Sequence, residues 1–375
     1  MSEPLRVAQI MGKMNRGGVE AVVMNYYRAM DKTKVQFDFF VDSDSEFPQR
    51  EELEQAGAGV FMLPPYSCMW AWQKQLTEQL RRGHYSIVHA HINTMNIFPM
   101  LCAFRAGVPV RICHNHSTAH RGEGKKTILK YLLRPFNKIF ATHWFACGKK
   151  AAEWMYGRRA VAHKRVVVLP NAIDTRRFAF DEQQRARVRE QLQIDQDVLV
   201  LGHVGRFCYQ KNHHFLIDIF AALRRRTRAK LLLIGEGELT QQICDLVRQK
   251  GLEEEVIFLG GKQDTAPYYN AMDAFCLPSF YEGVPVVAVE AQCNGLPCLL
   301  SDQVTEEAIL TDCAERFPLK NTASEWAEWI ADKAQMSSQR KEKAEIIAQK
   351  GFDGVCQARE LQECYRKLAG EGEKR

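Results

Sequence analysis

The chain lacks any segment suited to crossing a membrane. None of its 375 residues falls in a run near the roughly 18–20 apolar side chains that a spanning helix needs. Its start, MSEPLRVAQIM, has no basic stretch followed by a long apolar run, so no secretory signal is expected. Twelve cysteines are present, yet no two stand as C-x-x-C. Scattered cysteines in a chain of this length fit reduced core residues of a cytoplasmic protein, and argue against structural zinc or a disulfide framework. There is no solenoid-period repeat and no low-complexity tract. No helix-turn-helix, zinc finger or aromatic RNP-like motif is found either, which disfavours nucleic acid as the partner. The dinucleotide fingerprint G-x-G-x-x-G is also missing, and the second strand, read as VQFDFFV, closes without an acidic residue.

What is present is enough apolar material for two cores: 46% hydrophobic and 26% charged residues over 375 positions. The net charge of +6 is unevenly spread. Residues 1–172 carry 24 Lys+Arg against 13 Asp+Glu, and the remainder 27 against 32. A basic half is compatible with nucleic acid, anionic lipid or phosphorylated substrates.

Short β-rich runs alternate with helical patterns. In the first half RVAQIM, VQFDFFV, GVFML, SIVHAH, VPVRICH and THWFAC read as strands, with helices such as VEAVVMNYYRAM and MWAWQKQLTEQLRRG between them. The series restarts with VLVLGHVGR, AKLLLIG, EVIFLG, DAFCLP and LPCLLS. Continuous apolar strands separated by helices predict parallel sheets covered on both faces. The seam is VVVLPNAIDTRRF, residues 166–178, which gives one doubly wound domain over 1–170, a second over 171–350, and a terminal stretch 351–375 expected to form a helix that packs back on the first domain. Sheets of this kind bind ligands beyond the carboxyl ends of their strands.

Several polar residues sit just past those ends. Gly17 and Gly18 precede a helix after the first strand, where a glycine pair lets backbone approach a ligand and a helix start favours an anion. Arg206 and Lys211, in GRFCYQKN, flank the first turn of the second domain and suit a diphosphate. Gly235 and Gly237, in IGEGEL, leave room for a base or ribose. In FYEGVPVVAVEAQ, Pro285 can open a helix that is apolar nearly all round, yet Glu282 and Glu290 bracket it. A carboxylate there needs a partner: a salt bridge, a cap, or a ligand rich in hydroxyls. His89 and His91 form one His-x-His pair at a strand end, and His114 and His116 another. Alternation puts both members of a pair on one face, so metal binding is conceivable. No acidic or cysteine neighbour completes a ligand set. His89 reads as a core histidine, and the second pair as donors to a sugar hydroxyl or phosphate.

Taken in order, the glycine pair, the strand-end histidine, PNAID, GR….QKN, GEG and E-x7-E resemble the retaining GT-B glycosyltransferases of family 4, and within them bacterial exopolysaccharide or capsule transferases. The resemblance spans nearly the whole chain and is most specific over residues 273–301. It implies a GT-B fold, two doubly wound Rossmann-like domains facing across a cleft, the first binding the acceptor and the second the nucleotide-sugar. It implies that Glu290 holds the ribose hydroxyls, that Glu282 faces the donor sugar, and that backbone amides around Val284 and Val286 place sugar and phosphates. Arg206 and Lys211 would neutralise the diphosphate in place of a metal, and Gly17 and Gly18 would let the first domain close over it. His114 or His116 would be the active-site histidine. The implied reaction is retaining transfer, without metal or other cofactor, from a nucleotide-sugar, preferably a UDP-sugar, to a saccharide or lipid-linked saccharide in surface polysaccharide synthesis.

Two features stand apart from that scheme. Asp42-x-Asp44 matches the metal-binding motif of the GT-A fold, but it comes very early and reads as a solvated loop. In residues 121–138, Lys126, Lys130, Arg134 and Lys138 follow helical spacing beside Ile128, Leu129, Leu132 and Leu133, a pattern for peripheral contact with an anionic membrane at the inner face, or for leucines packed on the sheet. Trp70 and Trp72 could stack on an acceptor sugar or pack in the core. The alternatives are a sugar-nucleotide epimerase or phosphorylase of similar fold and, more remotely, a basic nucleic-acid-binding protein.

Overall fold

The computed structural model describes residues 3–15, 17–118, 124–335 and 340–372, with backbone alone at 125, 126, 371 and 372. Two compact units divide the chain: Met1–Ala172 with Gly354–Arg375, and Ile173–Asp353.

The first unit is built on a seven-stranded sheet in the order β3-β2-β1-β4-β5-β6-β7. Its strands are β1 (Leu5–Gly12), β2 (Val35–Asp42), β3 (Gly59–Leu63), β4 (Ile87–Ala90), β5 (Val110–Asn115), β6 (His143–Ala146) and β7 (Val166–Val168). Every pairing is parallel, so each crossover must travel back over a face of the sheet. That is why β2 is buried at all eight positions rather than at alternate ones. One core cluster joins Phe40, Trp72, Leu76, Met100, Cys113 and Met155. Trp72 is fully buried, with its indole N–H donated to Asp42 at 2.9 Å, so it does not reach an acceptor. Trp70 is 86% exposed.

The second unit carries a six-stranded parallel sheet in the order β10-β9-β8-β11-β12-β13. Its strands are β8 (Leu199–Val204), β9 (Ala229–Ile234), β10 (Val256–Gly260), β11 (Ala274–Leu277), β12 (Cys298–Ser301) and β13 (Ala314–Phe317). Strand β13, sequence AERF, carries a charged pair and escapes recognition from pattern alone; its register against β12 supplies what its composition does not. Leu216, Phe220, Leu231, Leu299 and Trp326 share one core cluster. Beneath it, Asp273 accepts from Arg185 at 2.7 Å and from the fully buried Arg189 at 3.1 Å.

The terminal helix, Gly354–Gly372, begins just past Gly351, whose φ of +85° breaks the preceding turn. It packs on the helix Gly18–Ala29 of the first unit. Its buried face carries Ala358, Leu361 and Tyr365, and Gln362 accepts from the Asp31 amide at 3.2 Å.

Leu231 is fully buried in β9, paired with Leu201 and Val256. Leu231→Ala should cost about 2–5 kcal/mol in the unfolding of the second unit, read as a lower urea midpoint. A midpoint shift below the equivalent of 1 kcal/mol would contradict this packing.

Candidate functional site

Strand order reverses between β1 and β4 in the first sheet and between β8 and β11 in the second. At such a point two crossovers leave in opposite directions and open a crevice at the carboxyl edge. The polar residues singled out above fall at these two edges, and each unit has its own group.

In the second unit the loop after β8 and the loop after β11 are sewn together. Phe280 N–H donates to the Gln210 carbonyl at 2.8 Å, Gln210 Nε2 to the Tyr281 carbonyl at 3.0 Å, and Asn212 Nδ2 to the Pro278 carbonyl at 3.1 Å. Tyr209 stacks on Phe280 with ring centroids 4.7 Å apart. This brings Lys211 Nζ to 2.7 Å from Glu282 Oε1, both side chains mostly buried. Arg206 lies further out, paired with Glu238 at 2.9 Å in solvent. Gly235 and Gly237 serve a different purpose from the open space expected of them. A Cβ on Gly235 would stand 2.1 Å from the Gly205 carbonyl oxygen, and one on Gly237 2.3 Å from that of Phe207. Their lack of side chains lets the β8 loop pack against the β9 loop.

Pro285 caps the helix Val286–Cys293 from outside rather than filling its first turn. Val284 and Val286 are buried on either side of it. Glu290 lies on this helix, 7% exposed, and accepts the Tyr269 hydroxyl at 2.8 Å. Burial pushes its carboxyl up to about 7, against the opposing pull of the Tyr269 hydroxyl and of Arg177. Gln292, one residue pair along, ties the helix to the following loop: Nε2 donates to Ala308 O at 2.8 Å, and Oε1 accepts from the Leu310 and Thr311 amides. Neither Tyr269 nor Gln292 stands out in the sequence, because both act through partners distant along the chain.

In the first unit Gly17 caps the helix Gly18–Ala29, and a Cβ on Gly18 would meet nothing within 4 Å. The four histidines at the carboxyl ends of β4 and β5 form one array. His89 Nε2 is 3.1 Å from His114 Nδ1, and His91 Nδ1 is 3.0 Å from His116 Nε2. The His114 and His116 rings stack with centroids 3.9 Å apart. Gln9 Oε1 lies 2.8 Å from His91 Nε2, and the Tyr365 hydroxyl 2.6 Å from His89 Nδ1. Burial holds all four imidazoles neutral, well below the usual histidine range, with His116 at about 3. Donor nitrogens of His89, His91 and His114 lie within 4.8 Å of one another, the spacing of a metal cluster, but the ring nitrogens facing each other are already hydrogen-bonded. Tyr365 and Gln9 were invisible to motif reading: one is on the terminal helix, the other inside β1.

Asp42 departs from its sequence reading. The second strand runs on to Asp42, which is fully buried and bound to Trp72, with burial raising its carboxyl to about 6. It is neither a solvated residue nor an open ligand, and only Asp44 is exposed, paired with Lys13 at 2.6 Å.

Two parallel Rossmann-like units, each with polar residues at its switch point, are the architecture of the GT-B fold. Residues 16–177 match the family description Glycosyltransferase Family 4, and residues 184–351 match Glycosyl transferases group 1. The chain is 38% identical over 362 residues to a Bacillus subtilis protein named as the glycosyltransferase EpsF, covering 94% of each. It is 26% identical over 235 residues, 60% of each chain, to the Escherichia coli UDP-Gal:alpha-D-GlcNAc-diphosphoundecaprenol alpha-1,3-galactosyltransferase. Anabaena HepE, solved with UDP-glucose, superposes with a TM-score of 0.79 at 19% identity, over 96% of this chain and 99% of HepE. The chain belongs to glycosyltransferase family 4, in its exopolysaccharide and capsule branch.

Because the folded carboxyl of Glu290 titrates near 7 and an ordinary one near 4.5, the folded state binds the extra proton between those values. Glu290 therefore favours folding below about pH 4.5, and that contribution is lost as pH rises through 7. The melting temperature of the unliganded chain should fall more between pH 5 and 7 than that of Glu290→Gln. Parallel curves for the two proteins would refute the assignment.

Proposed function

We propose that the chain moves a sugar, with retention and without a divalent ion, from a UDP-sugar to a lipid-linked saccharide during surface polysaccharide synthesis. The observation that carries this is the trio in the second unit: Glu290 buried on its helix, with the Lys211–Glu282 pair on the adjoining loops. A protonatable, water-poor carboxyl with capacity for further hydrogen bonds suits a ribose diol. The ion pair is poised to exchange: Lys211 to the diphosphate, Glu282 to the donor sugar's hydroxyls. Arg206, further out, adds a second positive charge, and the backbone around Val284 and Val286 lines the start of the helix. Charge then develops on the leaving diphosphate beside Lys211, where a fixed cation in a poorly hydrated loop counts most. A leaving-group oxygen takes the acceptor proton on the same face of the sugar, so no protein nucleophile takes part. The Escherichia coli UDP-Gal:alpha-D-GlcNAc-diphosphoundecaprenol galactosyltransferase and HepE bound to UDP-glucose support the donor class, and the former supports the lipid-linked acceptor.

The acceptor side belongs to the first unit. The helix Lys125–Leu133 and the turn Arg134–Lys138 expose Ile128 (72%), Leu132 (63%), Leu129, Tyr131, Phe136 and Ile139. Leu129 and Leu132 thus face outward rather than packing on the sheet, while Leu133 is half-buried. Lys130 stands among them, Arg134 lies over the Trp154 ring, and Lys138 turns inward to the Tyr156 carbonyl at 2.7 Å. The Lys126 side chain lies outside the described residues. No helix among those described is long and apolar enough to cross a membrane. An apolar surface beside cations is the signature of an interfacial element, which suits an acceptor presented by a bilayer.

Thermal-shift and donor-hydrolysis measurements against UDP-, GDP- and ADP-sugars, with and without EDTA, test the donor. The expected result is stabilisation by UDP-sugars alone, unchanged by EDTA and abolished in Glu290→Ala. Dependence on a divalent ion, or no nucleotide effect, would overturn the reading. Lys211→Ala should lower kcat by about 10²-fold or more with a smaller change in KM; a raised KM with kcat unchanged would assign Lys211 to binding only.

Flotation with vesicles containing phosphatidylglycerol tests the surface. Binding should drop sharply in Ile128→Ser/Leu132→Ser and in Lys126→Glu/Lys130→Glu/Arg134→Glu. Unchanged flotation of both variants would remove this helix from the account.

A further inference from the structure

The histidine array is held by a single amide. Gln9 Nε2 donates to the Tyr365 hydroxyl at 3.3 Å, and Gln9 Oε1 lies 2.8 Å from His91 Nε2. A carboxamide has a donor end and an acceptor end, so the two hydrogen-bond chains that start from it run in opposite senses. Along the first, Tyr365 accepts from Gln9 and donates to His89 Nδ1; His89 Nε2–H donates to His114 Nδ1; and His114 is left with Nε2–H. Along the second, His91 Nε2–H donates to Gln9, and His91 Nδ1 accepts from His116 Nε2–H, which leaves His116 Nδ1 as a bare acceptor. His114 Nε2 and His116 Nδ1 are the two buried ring nitrogens of the array without a partner among the described residues. Turning the amide over would reverse both chains together, so one open nitrogen would still be a donor and the other an acceptor.

We infer that Gln9 and Tyr365 are positioning residues that fix His114 as a hydrogen-bond donor and His116 as an acceptor, a matched pair for one sugar hydroxyl. A hydroxyl both gives and takes a hydrogen bond, and two stacked rings locked in complementary roles satisfy it at no cost in tautomer reorganisation. The terminal helix thereby contributes to the site through Tyr365 without touching substrate. The assignment of a sugar as the ligand rests on the proposed transferase function; the locking of the rings does not.

The test is long-range ¹⁵N–¹H correlation of the histidine rings in the full-length protein labelled on histidine, alongside UDP-sugar turnover. All four rings should show the neutral Nε2–H pattern. Tyr365→Phe should leave His116 in that pattern and convert His114 to a mixed or Nδ1–H pattern, with kcat reduced about tenfold. Gln9→Leu, which cuts both chains at their origin, should release both rings. Imidazolium signals at neutral pH, an unchanged His114 in Tyr365→Phe, or ring shifts on adding zinc alone would each overturn the proposal. Locked rings that respond to Tyr365→Phe, in a protein that turns over no nucleotide-sugar, would uphold the positioning role and defeat the function proposed above.

Discussion

Parallel strand pairing is the constraint on which the rest depends. Neighbouring parallel strands cannot be joined by a tight turn, so each connection here crosses a face of its sheet and every strand exits at the same edge. The price is a sheet buried on both sides. The consequence is that Gly17, His91, His116, Arg206, Gly235 and Glu282, far apart in sequence, all follow strand ends. Chemistry gathers there because the topology leaves no other place for loops that are both exposed and rigidly based.

Rigidity at those edges comes from polar groups buried in pairs. Glu290 with Tyr269, Lys211 with Glu282, Asp42 with Trp72 and the histidines with Gln9 and Tyr365 each place a polar atom out of water against one specific partner. Such pairs are costly to leave half-made, so they fix side-chain direction more firmly than apolar packing would. The same pairs hold functional groups in a definite protonation state, neutral for the imidazoles and poised for Glu290.

The strand–helix alternation was legible because parallel strands are continuous apolar runs. Sequence pattern therefore placed β1 to β6 and β8 to β12 close to their observed bounds. It overlooked β7, read only as the start of the seam, and β13, whose AERF is held by pairing to β12 rather than by composition, and it ended β2 one residue early, at the polar Asp42. The E-x7-E segment was readable because a carboxylate in an apolar helix is conspicuous. Its partner Tyr269 was not, nor were Gln9 and Tyr365, since a tyrosine or glutamine in an apolar stretch looks like ordinary core until the fold brings its hydroxyl or amide to a distant group. Gly235 and Gly237 show the reverse difficulty: a glycine pair after a strand reads as room for a ligand, whereas here the neighbouring backbone fills that room.

In the proposed function, the second unit holds a nucleoside diphosphate between Glu290 and the cations of the β8 loop. A crystal structure of the chain with UDP addresses it most directly. The ribose hydroxyls should lie within hydrogen-bonding distance of the Glu290 carboxyl, and the diphosphate on Lys211, with that side chain withdrawn from Glu282. UDP bound away from these residues, or a Lys211–Glu282 pair left intact beside it, would rule out this donor site.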